Sequence, residues 1–107
     1  MQSSGPMRKD KDMAEQVTTL SKDEVAERLR SLRGWDVKEG KLRKTFTFSD
    51  FMGAVGFVDR LAPVAEREGH HPDLQVSWGR VVVELTTHDA GGLTVKDFKL
   101  ASLIDKL

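Results

Sequence analysis

Two glycine-punctuated runs of alternating residues, one on each side of a long apolar helical stretch, restrict this chain to few folds. The first joins Trp35-Asp36-Val37-Lys38 to Leu42-Arg43-Lys44-Thr45-Phe46-Thr47-Phe48 through Glu39-Gly40. In the second, Leu74, Val76 and Trp78 alternate with Gln75 and Ser77, and Gly79-Arg80 turns the chain into Val81-Val82-Val83-Glu84-Leu85-Thr86. A period of two with a short Gly-containing turn is the signature of a β-hairpin. Two hairpins separated by a helix favour a four-stranded antiparallel sheet with helices packed on one face.

The helical signals fall around those hairpins. Ser21 with Glu24 three residues on is a capping box, and Val25, Leu29 and Leu32 follow at helical spacing before Gly34. This predicts a first helix over about 22–33. Ser49 or Asp50 caps a second helix carrying Phe51, Ala54, Val55, Val58, Leu61, Ala62 and Ala65 on one side. Pro63 removes a hydrogen bond to the Asp59 carbonyl and predicts a kink. Gly53 and Gly56 allow close approach of a neighbouring element, a second subunit included, and Gly69 is a natural stop. Ala90-Gly91-Gly92 reads as a flexible loop, and Thr94 caps a last helix through Leu107 with Asp97 in its first turn. The order is αββαββα, an α+β fold. Residues 1–19 lack a hydrophobic period and carry the charge run Arg8 to Asp12, so a disordered tail is expected there, with one domain over 20–107.

Composition narrows the chemistry. At 107 residues the chain suits one small core. Seventeen basic residues balance seventeen acidic ones, so no overall field favours nucleic acid or an anionic membrane. No apolar run approaches the ~20 residues of a membrane span, the polar start lacks a signal-peptide stretch, and a cytoplasmic protein is expected. With no cysteine and no tyrosine, disulfides, thiolate chemistry and cysteine-ligated zinc are excluded. Few groups other than the three histidines titrate near neutrality.

Two of those histidines lie in Glu66-Arg67-Glu68-Gly69-His70-His71-Pro72, at the junction of helix two and the second hairpin. Pro72 restricts His71 to extended geometry. Adjacent residues of an extended chain point to opposite sides, so His70 and His71 are either a joint site or plain surface caps of the helix end. His88 follows the Val-rich strand. A three-histidine metal site is disfavoured by the adjacent pair, which lacks the spacing that aims two rings at one ion. Asp97 and Glu66 can orient a histidine or bind polar ligand atoms, or simply stabilise a helix end and a solvated face. Trp35 and Trp78 are core or rim residues, or cover a flat heterocycle. The Lys and Arg residues form no nucleic-acid stripe.

Taken together, these residues resemble the pterin-4a-carbinolamine dehydratase family, also known as the dimerization cofactor of a homeodomain transcription factor. The family pattern is an acidic residue, three positions, His-His-Pro, five positions, an aromatic, nine positions, His, eight positions, Asp. Here Glu66, His70-His71-Pro72, Trp78, His88 and Asp97 meet it at every gap. The likeness extends through Gly34-Trp35, Asp50-Phe51 and Gly56-Phe57, over about Leu20 to the C-terminus. Leu74, Val76 and Trp78 depart from the family's frequent aromatic, Asn and Tyr.

The resemblance implies dehydration of 4a-hydroxytetrahydropterin to quinonoid dihydropterin and water, recycling a tetrahydrobiopterin-type cofactor without a metal or redox group. It implies His71 and His88 as acid/base partners flanking the pterin and His70 at the hydroxyl-bearing carbon. Glu66 would fix the histidine cluster, Asp97 would hold His88 or a pterin N–H, Trp35 would wall the pocket, and Trp78 would also contact or orient the substrate. It also implies a homodimer or homotetramer through helix two and a sheet edge, with no direct nucleic-acid contact and no membrane. The rival expectation is a dehydratase-like binding, coactivator or assembly protein without essential catalysis.

Overall fold

The computed structural model describes residues 18–107. Most of the expected tail, residues 1–17, lies outside the described residues. Thr18 and Thr19 lead into Leu20, whose backbone N–H donates to the Leu93 carbonyl at 2.8 Å.

Helix α1 runs Lys22–Leu29, and its capping box forms as the sequence indicates, with Ser21 Oγ accepting from the Glu24 N–H and Glu24 Oε1 accepting from the Ser21 N–H. It stops four residues before the expected Arg33. Arg30, Ser31 and Leu32 instead donate to carbonyls three residues back, so the last turn tightens and the helix unwinds. Strands β1 (Asp36–Lys38) and β2 (Lys41–Thr47) form the first hairpin. Its loop residues Glu39 and Gly40 both take positive φ, +53° and +76°, the combination whose twist matches that of the flanking strands.

Helix α2 (Phe51–Glu68) is capped by Asp50, whose Oδ1 accepts from the Gly53 N–H at 2.7 Å. The helix is continuous across Pro63. Strands β3 (Asp73–Ser77) and β4 (Arg80–Leu85) form the second hairpin, turning on Trp78-Gly79 rather than on the expected Gly79-Arg80. The loop Ala90-Gly91-Gly92 is partly ordered, as a short 3-10 turn over His88–Ala90 closed by Gly91 at φ +79°. Helix α3 (Val95–Ile104) ends three residues before the C-terminal Leu107.

All strand pairs are antiparallel, and the sheet order is β1-β2-β4-β3. Register places Leu42 opposite Leu85 and Phe46 opposite Val81, so one face is apolar. Leu42, Val81, Val83 and Leu85 there are buried with Ala54, Phe57, Leu61 and Ala65 of α2 and Phe98, Leu100, Ala101 and Ile104 of α3. Val25 and Leu29 of α1 pack against the same core. The opposite face presents Arg43, Thr45, Gln75 and Glu84. Removing this apolar surface from water is the main force that brings the end of α2, the start of β3, the end of β4 and the start of α3 to one place.

Candidate active site

The site is built where those four ends meet. Gly69 terminates α2 in the left-handed conformation (φ +64°), and the His70 N–H reaches back to the Ala65 carbonyl at 3.2 Å. This cap swings the chain off the helix so that His70 turns inward, and Pro72 leads into β3. Asp73 pairs with Glu84, which sets the start of β3 beside the end of β4 and the loop carrying His88. Gly69, His70, His71, Thr86, Thr87, His88, Asp89 and Lys96 line a cleft of about 240 Å³. A larger cleft of about 450 Å³ between α1 and α3, lined by Arg28, Leu32, Phe98 and Lys99 among others, holds no histidine.

The two adjacent histidines do point to different partners, as extended geometry requires, yet both border the same cleft. His70 Nε2 lies 2.5 Å from Asp97 Oδ1, with the His70 side chain 11% exposed and Asp97 fully buried. His71 Nε2 lies 2.7 Å from Glu66 Oε2, both side chains being exposed. Each imidazole is therefore held through Nε2, leaving Nδ1 as the second nitrogen through which it can take or give a proton. Among the described residues no hydrogen bond joins the His88 ring to another side chain. The site thus holds one buried imidazole on a buried carboxylate, one exposed imidazole on an exposed carboxylate, and a third imidazole, His88, lining the same cleft. Such a set can protonate one atom of a small flat ligand while accepting a proton from another.

Of the two partners the resemblance implies for Asp97, His88 or a pterin N–H, the first is not the one seen: its carboxylate bonds His70, 27 residues earlier in the chain. Its other oxygen, Oδ2, accepts from the Thr94 N–H at 2.9 Å and from Thr87 Oγ1 at 2.8 Å. Asp97 is therefore both the helix-capping group and the carboxylate that orients a histidine.

Neither tryptophan borders the cleft. Trp35 is buried against Phe46 and donates from Nε1 to Asp105 Oδ2 at 3.0 Å, at the opposite end of α3 from Asp97. Its indole is a core group with its one donor satisfied, not a wall of the histidine cleft. Trp78 sits in the β3–β4 turn, at the end of the hairpin away from His71 and His88, and is 72% exposed. Thr87 and Lys96 were not anticipated. For the polar network, the available signal was Thr94-Val95-Lys96-Asp97, a capping box in the sequence that the structure forms in full. Among the described residues no group of three or more His, Cys, Asp or Glu side chains is arranged to hold a metal ion. No helix among them is long and apolar enough to cross a membrane.

An antiparallel sheet backed by helices, with three imidazoles and two carboxylates at one end, defines a small acid/base or ligand-binding site. The family described as "Pterin 4 alpha carbinolamine dehydratase" matches residues 18–107. A Thermosynechococcus vestitus protein named "Putative pterin-4-alpha-carbinolamine dehydratase" is 51% identical over 88 residues, covering 82% of this chain and 93% of that protein. A protein of the same name from Sulfolobus acidocaldarius is 47% identical over 88 residues, covering 82% and 97%. The crystal structure of a transcriptional coactivator/pterin dehydratase from Brucella melitensis superposes with a TM-score of 0.80 at 35% identity, covering 83% of this chain and 97% of that one. A pterin dehydratase-like protein identified as a RuBisCO assembly factor in the alpha-carboxysome superposes with a TM-score of 0.55 at 25% identity, covering 67% and 83%. This chain belongs to the pterin-4a-carbinolamine dehydratase family.

Proposed function

We propose that this protein dehydrates 4a-hydroxytetrahydropterin to quinonoid dihydropterin and water. The observation that carries this reading is the meeting of His70, His71 and His88 around one cleft, with His70 held on buried Asp97. The reaction breaks the bond from the ring carbon to its hydroxyl oxygen and needs a proton delivered to that oxygen. A ring N–H gives up a proton, its electron pair closes the new C=N bond, and water leaves. His71 and His88 serve as the acid/base partners across the pterin, and His70 assists departure of the hydroxyl. Imidazoles exchange protons readily at neutral pH, each such transfer contributing typically ~10²–10⁴-fold. The chain's own groups supply the proton chemistry, so no metal or redox cofactor enters the steps.

A second reading has specific support. One structural neighbour is described as an assembly factor and another as a transcriptional coactivator. On α2, Phe51 and Met52 are 49% and 74% exposed, and β3 is an edge strand bearing the exposed Val76. These surfaces suit self-association as a dimer or tetramer, or capture of another macromolecule. The experiment that separates the readings measures pterin binding and dehydration on the purified wild-type protein, with metal content determined on the same sample. Binding with metal-independent turnover supports the dehydratase. A protein that neither binds nor dehydrates a pterin, but retains a macromolecular partner, overturns it.

A further inference from the structure

We infer that Thr87 is a positioning residue that sets two of the histidines, His70 through its hydroxyl and His88 through its backbone. This rests on the dehydratase reading for its kinetic consequence but not for its structural one.

The hydroxyl route follows from counting protons. Asp97 is fully buried, and as a carboxylate it only accepts. Thr87 Oγ1 lies 2.8 Å from Asp97 Oδ2 and also 2.8 Å from Thr94 Oγ1. A hydroxyl has a single proton, so if Thr87 donates to Asp97, Thr94 must donate to Thr87. Thr94 Oγ1 in turn accepts from the Lys96 N–H at 3.2 Å. The donors therefore run in one direction, from Lys96 N–H through the Thr94 and Thr87 hydroxyls to Asp97. With Oδ2 occupied by Thr87 and the Thr94 N–H, Oδ1 is left for His70 Nε2. This places the His70 proton on Nε2 and leaves Nδ1 for chemistry. The same geometry locks the ring plane, because the carboxylate cannot rotate without losing two buried bonds.

The backbone route is separate. The Thr87 carbonyl accepts from Ala90 and Gly91 N–H groups at 3.0 Å each, and the Thr87 N–H donates to the Gly92 carbonyl at 3.2 Å. Those bonds close the 3-10 turn that begins at His88. Substituting the side chain alone leaves this route in place, so the two contributions can be separated.

The test compares Thr87→Val, which keeps the shape and removes the hydroxyl, with Thr87→Ser, which keeps the hydroxyl. Imidazole nitrogen NMR on each folded protein reads the His70 tautomer, and the dehydration assay reads kcat and KM. Thr87→Val is expected to shift His70 away from the single Nε2–H tautomer and lower kcat roughly ten- to hundred-fold with KM nearly unchanged, as loss of an orienting partner typically does. Thr87→Ser is expected to restore both readouts. An unaltered tautomer in folded Thr87→Val overturns the inference, whatever the activity of the wild type. A wild type inactive on the pterin, with the tautomer shifted in Thr87→Val, overturns the dehydratase reading alone. If the Val variant does not fold, Thr87→Cys decides: its weak donor should give the same losses, and a Cys variant matching the Ser variant in tautomer and kcat overturns the inference.

Discussion

His70 Nε2 and Asp97 Oδ1 stand 2.5 Å apart across 27 residues of chain, joining the end of α2 to the start of α3 through a carboxylate with no exposed surface. Both oxygens of that carboxylate are hydrogen-bonded, Oδ1 to His70 and Oδ2 to Thr87 and the Thr94 N–H, which is what makes its burial tolerable. Asp97→Asn keeps the size but puts an amide where two donors and an imidazole N–H expect acceptors. We expect a loss of about 1–3 kcal/mol in stability and a fall in turnover of roughly 10–100-fold. Thermal melts and the dehydration assay on the same preparation check both.

The other histidine–carboxylate pair should behave differently. Glu66 and His71 are 76% and 60% exposed, so water and salt screen their interaction. Glu66→Gln is expected to change stability by less than ~1 kcal/mol. Its effect should fall on turnover, through the freed orientation of His71. Denaturant titration and steady-state kinetics read the two quantities separately.

Trp35 offers a test of what the cleft excludes. Trp35→Phe removes the Nε1–H bond to Asp105 Oδ2 and part of the contact with Phe46, far from the histidines. We expect a stability loss of about 1–3 kcal/mol with kcat and KM close to wild type. A large kinetic effect in a variant that melts normally would put Trp35 back in the site.

Position rather than residue type explains which parts of this molecule are legible in the sequence. The Glu39-Gly40 turn, the capping box at Ser21, the Thr94 cap and the Gly69 stop are local, and the residues that encode them also carry them out. The second hairpin, in contrast, turns one residue earlier than its glycine suggests. The β2–β4 pairing at the centre of the sheet is not local; it comes from matching the apolar faces of two hairpins. The family pattern that the chain resembles fixes the spacing of Trp78 and Asp97 from the His pair, but not where their side chains point. Hence the sequence leaves open whether the tryptophans are core, rim or pocket residues, and only the folded chain shows that neither borders the cleft and that Asp97 meets His70. Thr87 is not legible in the sequence, because a threonine just past a strand end has no special pattern until α3 packs against it.

Two glycines at positive φ should differ in their tolerance of substitution. A Cβ on Gly40 would meet nothing within 4 Å, whereas one on Gly79 would come within 2.8 Å of the Phe48 carbonyl oxygen. Gly40→Ala should cost about 1–2 kcal/mol from backbone conformation alone. Gly79→Ala should cost more, because backbone must move to admit the methyl group. Parallel urea denaturations decide the order.

The α1 capping box is sensitive to acid. Backbone and side-chain hydrogen bonds with Ser21 hold the Glu24 carboxyl below the ordinary glutamate range, with a smaller contribution from the Arg28 charge. A lowered folded pKa means that the charged form is favoured by folding. The stabilisation is therefore present above the ordinary glutamate pKa and is lost as pH falls through the lower folded value. Glu24→Gln should flatten the pH dependence of stability in that window, read from melts at stepped pH.

The most direct test of the proposed chemistry is stopped-flow dehydration of 4a-hydroxytetrahydropterin by His70→Ala and His88→Ala, each with its fold verified. The expected result is a wild type that accelerates dehydration and variants slower by roughly 10²–10⁴-fold. Wild-type rates in both variants would contradict the assignment of this cleft as the catalytic site.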